Sequence, residues 1–142
     1  MKKISILITT IIIVLSFKGF KDNTIDVYID AIYQHISGFE TGTIYILKCS
    51  DLELPSKIGS QNIVFIDNVN KFMKGRKKTN IIRLMPLHLE GGNVNVILID
   101  YLLEKKANGT INLSNNGGEI FTYTYDVNND SYKLVSRKKN SI

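Results

Sequence analysis

The stretch Val94-Asn-Val-Ile-Leu-Ile-Asp-Tyr-Leu-Leu103 decides the fold of this chain. Its β-branched and aromatic residues favour a strand, and apart from Asn95 and Asp100 both faces of that strand are apolar. A strand with two apolar faces belongs inside a sheet, with a helix covering one side. We therefore expect Val94–Glu104 to be the central strand.

Turn signals on both sides of this strand predict an antiparallel meander. Gly91-Gly92-Asn93 is typical of a hairpin connection to a preceding strand over Ile81–Leu89. Pro86 interrupts that strand, because proline cannot donate a backbone hydrogen bond, and it favours an edge position or a bulge. The other predicted turns are Asn108-Gly109, 115–118 and 128–130, and the strands that follow are Glu119–Val127 and Tyr132–Arg137.

The predicted helix covers residues 22–37, where apolar residues recur at steps of three and four from Ile25 to Ile36. Gly38 supplies a stop signal after it. Two more short strands are expected over Ile44–Cys49 and Ile63–Ile66. The predicted fold class is α+β, with one long helix packed on a four- to five-stranded antiparallel meander sheet.

The N-terminus has the layout of a secretory signal peptide, with Lys2 and Lys3 followed by the uncharged apolar run Ile4–Phe17. This run is shorter than the roughly 20 residues of a membrane-spanning helix. We expect a signal peptide over 1–16, or as far as residue 19, and a single α+β domain over 17–142, secreted or periplasmic and without a stable membrane span. Cleavage after Ser16 would lower the formal net charge from +5 to +3. An uncleaved anchor is the alternative.

Asp100 is the most unusual residue of the central strand, since a buried carboxylate is costly without a partner. A hairpin about Gly91-Gly92 brings residues 83 and 100 level, which predicts an Arg83–Asp100 cross-strand pair. If Asp100 instead lines a cavity without a partner, it becomes a candidate general base, and His88 is the second candidate for acid–base chemistry. Arg83 is accordingly a candidate binding residue.

Three tyrosines in the last two predicted strands, Tyr123, Tyr125 and Tyr132, are further candidates for a binding surface. Tyrosine combines a large contact area with a hydrogen-bonding tip. The alternative is that these rings form the core beneath the helix. We expect no metal site and no cofactor, because His35 and His88 have no metal-ligand spacing and Cys49 is the single cysteine, expected to be buried.

The order of elements over residues 22–138, one helix followed by paired strands, resembles the cystatin-like and nuclear-transport-factor-2-like cone folds and many small uncharacterised secreted bacterial proteins. Cystatin inhibitors carry a Gln-x-Val-x-Gly hairpin loop. The nearest match here is Gln61-Asn-Ile-Val-Phe65, which has Ile and Phe at the positions of Val and Gly. In cone-fold enzymes, the acid–base groups lie inside the cone.

The favoured function is non-catalytic binding of a small ligand or a protein partner in the cell envelope or outside the cell. A nucleic-acid partner is not expected, although Lys71–Lys78 is strongly basic, because an exported protein rarely meets nucleic acid. One alternative is a small cone-fold enzyme that uses Asp100 in a pocket. Another is a protease-inhibitor or immunity-type protein with a rigid hairpin tip at 90–94 or 127–131.

Overall fold

The structure is a computed structural model that describes residues 24–49 and 51–140. In this part of the chain, helix α1 covers residues 24–36 and helix α2 covers Val69–Phe72. The strands are β1 (Thr43–Leu47), β2 (Lys57–Ile58), β3 (Gln61–Ile66), β4 (Lys78–Leu84), β5 (His88–Glu90), β6 (Asn93–Lys105), β7 (Ile111–Asp126) and β8 (Ser131–Asn140).

All eight strands belong to one mixed sheet, in the order β2-β3-β1-β4-β6-β7-β8, with β5 pairing β6 beyond the end of β4. Strand β1 runs parallel to both of its neighbours, β3 and β4, whereas the remaining pairs are antiparallel. Parallel neighbours need crossover connections. The chain therefore crosses from β1 to β3 through residues 48–60, and from β3 to β4 through a segment that contains α2.

Helix α1 covers one face of this sheet, and the main core lies between them. Its buried residues Tyr28, Ala31, Ile32 and Ile36 follow the predicted helical spacing. They belong to one cluster that includes residues from β1 to β4 and from β6 and β7. The sheet residues of this cluster are Ile46, Ile58, Ile63, Ile82, Leu84, Val94, Val96, Leu98, Phe121 and Tyr123.

A smaller core lies on the opposite face, beneath α2. Ile66, Met73, Ile81 and Leu103 are buried there. The side chain of Asn68 caps α2 by accepting a hydrogen bond from the backbone N–H of Lys71, at 2.9 Å. The sheet is thus covered on both faces where β1, β3 and β4 meet.

The predicted fold class is wrong. The helical residues 24–36 fall within the predicted helix 22–37, but this is a short helix, and the described residues form a sheet of eight strands instead of four or five. The sheet is also mixed, because β1 is parallel to both neighbours, and so it is not an antiparallel meander. The hairpin order holds only for the C-terminal part, from β5 to β8.

The predicted Arg83–Asp100 pair is also wrong, by a shift of one residue. Near the turn, Glu90 pairs with Asn93, as the predicted hairpin requires. Beyond Pro86 the register changes, so that Ile82 lies opposite Asp100 and Arg83 lies opposite Ile99. Because side chains alternate between faces, this single-residue shift places Arg83 and Asp100 on opposite faces of the sheet.

The predicted signal peptide lies outside the described residues, and its removal stays a prediction. Within the described residues, no helix combines the length and hydrophobicity needed to cross a membrane. Cys49 lies just beyond β1 and is exposed, so the prediction that it is buried is wrong.

Candidate ligand pocket

The candidate site is a pocket of about 430 Å³ at the place where β1 and β4 separate. The ladder between these two strands consists of Ile46↔Ile82 and Leu47↔Arg83. Toward their N-terminal ends, β1 keeps its pairing with β3 and β4 keeps its pairing with β6, which opens a gap between them. The pocket is lined by Phe39, Thr43, Ile44, Tyr45, Asn80, Ile81, Ile82, Asp100, Tyr101 and Asn116.

Asp100 reaches this pocket at an irregularity between β6 and β7. Ile99 pairs with Gly118 and Tyr101 pairs with Asn115, so Asn116 and Gly117 together oppose Asp100. This bulge occupies the segment 115–118, for which the sequence predicts a turn, and that prediction is wrong. Its left-handed residue is Gly117, with φ of 117°. Bulges are common beside functional sites because they redirect side chains.

Four ionisable side chains, Asp100, His35, Glu119 and Arg137, form a chain of contacts behind the pocket that we call the His35 network. His35 Nε2 lies 2.9 Å from Asp100 Oδ1, and His35 Nδ1 lies 2.8 Å from Glu119 Oε2. Arg137 donates hydrogen bonds of 3.0 Å to both oxygens of Glu119. Ionised carboxylates can only accept, so both ring nitrogens of His35 carry protons and the ring is an imidazolium.

The protonation of these groups follows from their contacts. Burial lowers the pKa of His35, but the hydrogen bonds to Asp100 and Glu119 outweigh it, and the pKa lies above its usual value of 6.5. Burial raises the pKa of Glu119, but the hydrogen bonds from Arg137 and His35 outweigh it, and the pKa lies below its usual value of 4.5. His35 and Glu119 are therefore held in their charged forms.

Sequence reasoning identified one member of this network, Asp100, and missed the other three as functional residues. His35 lies on α1, and Glu119 and Arg137 lie on neighbouring strands. In the sequence, His35 lies three residues after Ile32, which puts it beside the apolar side of the predicted helix. Glu119 alternates with Phe121 and Tyr123, which puts it on the apolar face of the predicted strand. Charged residues at predicted core positions are the signal that could have found His35 and Glu119, whereas Arg137 is exposed on β8 and gives no such signal.

The remaining predicted polar site residues do not join the pocket. Arg83 is exposed on the face opposite Asp100. His88 lies in β5 with 63% of its side chain exposed, and its Nε2 is 4.0 Å from Glu90 Oε2. Neither is brought near Asp100, whose histidine partner is His35.

The three candidate tyrosines divide between the core and the surface. Tyr123 is buried beneath α1 and donates a hydrogen bond of 2.7 Å to Asp30, so the alternative of a core role holds for this ring. Tyr132 is partly buried against the main core, and its ring meets that of Tyr125 edge to face at 5.3 Å. Tyr125 is exposed and hydrogen-bonds to Asp130 at the β7–β8 turn.

The segment that most resembles the cystatin loop has a structural role. Gln61 opens β3 and is buried, where its side chain accepts from the N–H of Gly42 at 2.7 Å and donates to the carbonyl of Glu40 at 3.0 Å. These bonds tie β3 to the connection between α1 and β1. The segment is thus part of the sheet and not a hairpin tip.

Comparison with known proteins identifies no relative, since neither a protein-family model nor a curated protein matches the chain. The resemblance to cystatin-like and nuclear-transport-factor-2-like folds therefore stays a prediction. In the described part of the chain, no group of three or more His, Cys, Asp or Glu side chains is arranged to hold a metal ion.

Proposed function

We propose that this chain is a non-catalytic binding protein whose ligand lies in the pocket between β1 and β4, and that it acts outside the cytosol after loss of residues 1–16. The observation that carries the binding role is the engagement of both His35 nitrogens by carboxylates. Such an imidazolium has no lone pair to accept a proton. It fixes Asp100 at the pocket instead of activating it.

The alternative of an enzyme requires an Asp100 that can take up a proton. Asp100 Oδ1 already accepts a hydrogen bond of 2.9 Å from His35 Nε2, so this oxygen is engaged before a substrate arrives. A carboxylate held in this way suits the recognition of a ligand better than general-base chemistry. The pocket volume lies within the range of about 300–1,000 Å³ that is usual for small-molecule sites.

The test is an NMR screen of the ¹⁵N-labelled protein against a fragment mixture that contains cationic, neutral and anionic members. We expect fragments to shift the amide resonances of the pocket residues Thr43, Asn80 and Asn116 while leaving those of the β7–β8 turn unchanged. If no fragment of any charge shifts the pocket amides, the pocket is not a binding site and the proposal fails.

Export is tested separately by the intact mass of the protein recovered from cells that express the whole sequence. The expected mass corresponds to residues 17–142, or to a chain that begins as late as residue 20. A recovered chain that keeps Met1-Lys2-Lys3 would contradict the export part of the proposal and leave the binding part intact.

A second candidate, binding of a protein partner as in an inhibitor or immunity-type protein, is favoured by the β7–β8 turn. Val127 at this turn is 80% exposed. The turn is held by hydrogen bonds from Asn128 N and Asn129 Nδ2 to the Asp126 carboxylate, at 3.0 and 2.7 Å. This candidate is tested by measuring whether the protein inhibits any member of a panel of proteases. The candidate requires that such inhibition is lost in a Val127→Asp variant and kept in a Val135→Asp variant.

A further inference from the structure

We infer that the pocket between β1 and β4 takes an organic cation, a small amine with an aromatic or branched apolar body. This inference rests on the proposed binding function and adds the class of ligand. It follows from the charge of the pocket, from the character of its walls and from the position of the Asp100 carboxylate.

The charge of the lining is the first argument. Among the described residues that line the pocket, Asp100 alone has a side chain with a formal charge at neutral pH. His35 offsets part of this charge from behind the pocket, but an anionic ligand inside the pocket would meet the carboxylate itself, and none of the lining residues named above is a cation. A cationic ligand would form an ion pair in a partly enclosed site, where charge-assisted hydrogen bonds are stronger than those between neutral groups.

The Asp100 carboxylate is the second argument, because it is both held and open. Its Oδ1 is fixed by His35 Nε2 at 2.9 Å, while 33% of the side chain remains exposed. An Asp–His contact of this kind orients the carboxylate before a ligand arrives, which reduces the entropy lost on binding. Behind it, Glu119 also contacts His35, but Glu119 has a second cationic partner in Arg137. His35 is therefore not the only group that balances the charge of Glu119.

The walls are the third argument. Phe39, Tyr45 and Tyr101 contribute three aromatic rings, and Ile44, Ile81 and Ile82 contribute apolar surface. Aromatic faces attract cations. Arg76 already lies over the Tyr45 ring, 5.6 Å from its centroid, and the His35 ring meets the Phe39 ring edge to face with 5.7 Å between the centroids. Of the three lining rings, Tyr101 is therefore the one left for a ligand. Asn80 and Asn116 add amide oxygens that can accept hydrogen bonds from an ammonium group.

The experiment compares three probes of similar shape and different charge: 2-phenylethylamine, 2-phenylethanol and 3-phenylpropanoate. Dissociation constants are measured by NMR titration of the pocket amides in the wild type and in Asp100→Asn. The asparagine keeps an oxygen that accepts from His35, removes the charge, and replaces the second acceptor oxygen with an NH₂ donor. We expect the amine to bind most tightly, and D100N to weaken its binding at least tenfold, by about 1.4 kcal/mol, with little change for the alcohol.

The matched control is Asp30→Asn, which removes one carboxylate charge at a separate pocket beside α1 and leaves an acceptor for Tyr123. D30N should bind the amine as the wild type does. If D100N does not fold, the order of the three dissociation constants for the wild type still tests the cationic class of ligand. Equal or tighter binding of the alcohol or the acid, or unchanged amine binding in D100N, overturns the cationic class while the binding function stands. If no probe and no fragment shifts the pocket amides, both proposals fail.

Discussion

His35 is the residue on which the electrostatics of the molecule depend. It is buried on α1 and joins carboxylates from β6 and β7, which lie on strands far from it in sequence. Buried charges are tolerated only when paired, and here Arg137 supplies the second positive charge that balances the two carboxylates. The His35 network therefore links the helix to the centre and to the edge of the sheet.

This arrangement predicts a dependence of stability on pH. The folded-state pKa of His35 is raised, so its stabilising contribution is complete below about pH 6.5 and is lost as the pH rises through the raised value. The folded-state pKa of Glu119 is lowered, so its contribution is present above about pH 4.5 and is lost as the pH falls through the lowered value. The free energy of unfolding, measured by urea denaturation, should be higher at about pH 6 than well above the raised His35 value.

The variant His35→Gln should lose the part of this dependence that lies above about pH 6.5 and unfold about 1–3 kcal/mol more easily, because Asp100 and Glu119 each lose a hydrogen-bond donor while Glu119 keeps Arg137. His88→Gln is the matched control, since it removes the other histidine, which is exposed in β5. It should keep both the stability and the pH dependence of the wild type. An H35Q variant that retains the wild-type slope would mean that His35 is not the group that titrates.

At the scale of the elements, the irregularity between β6 and β7 brings Asp100 to the pocket, and Gly118 is what allows the two strands to approach there. A Cβ atom at Gly118 would lie 2.3 Å from the carbonyl oxygen of Leu98 and 3.0 Å from Ile99 Cα. Both are backbone atoms of the central strand, so neither can move aside as a side chain would. The close approach depends on the absence of a side chain at this position.

We therefore expect Gly118→Ala to be destabilising by at least about 1–3 kcal/mol, the usual cost of forcing an extra carbon into a packed site. The measurement is the urea midpoint, together with the amide shifts of Asp100 and Asn116, which should move because the bulge is displaced. Gly38→Ala is the matched control, since a Cβ there meets nothing within 4 Å. Equal stability of the two variants would contradict the close approach of β6 and β7.

The elements show how far sequence reasoning could reach. The Gly91-Gly92 turn and the strands around it were predictable, because both glycines have the positive φ that such turns require. The register beyond Pro86 was not predictable. Pro86 indicates an irregularity in the strand, but it does not say whether the pairing with β6 shifts by one residue there. The glycines at 117 and 118 give the same signal for a turn and for a bulge, and only the pairing of Ile99 with Gly118 distinguishes them.

At the scale of the whole molecule, the mixed sheet could not be deduced from local patterns. The connections 48–60 and 67–77 are polar segments of about a dozen residues, a length that fits parallel crossovers. The same segments also fit long loops between antiparallel strands. The choice depends on contacts between distant residues, such as Ile46 with Ile82. The candidate pocket arises from this choice, because β1 and β4 separate beyond that contact.

The sheet has two parts, one formed by β1, β2 and β3 and the other by β4 to β8. A ladder of two residue pairs between β1 and β4, the smaller core beneath α2, and helix α1, which packs on both parts, join them. Ile32 is fully buried at the centre of this helix, so Ile32→Ala should lower the free energy of unfolding by about 2–5 kcal/mol. Asp26→Ala on the exposed side of α1 is the control, with a change within about 0.5 kcal/mol. If α1 makes the two parts one cooperative unit, hydrogen exchange should speed up by the same factor for the slowest amides of β3 and of β7 in I32A. Faster exchange in β3 alone would mean that the two parts of the sheet unfold independently.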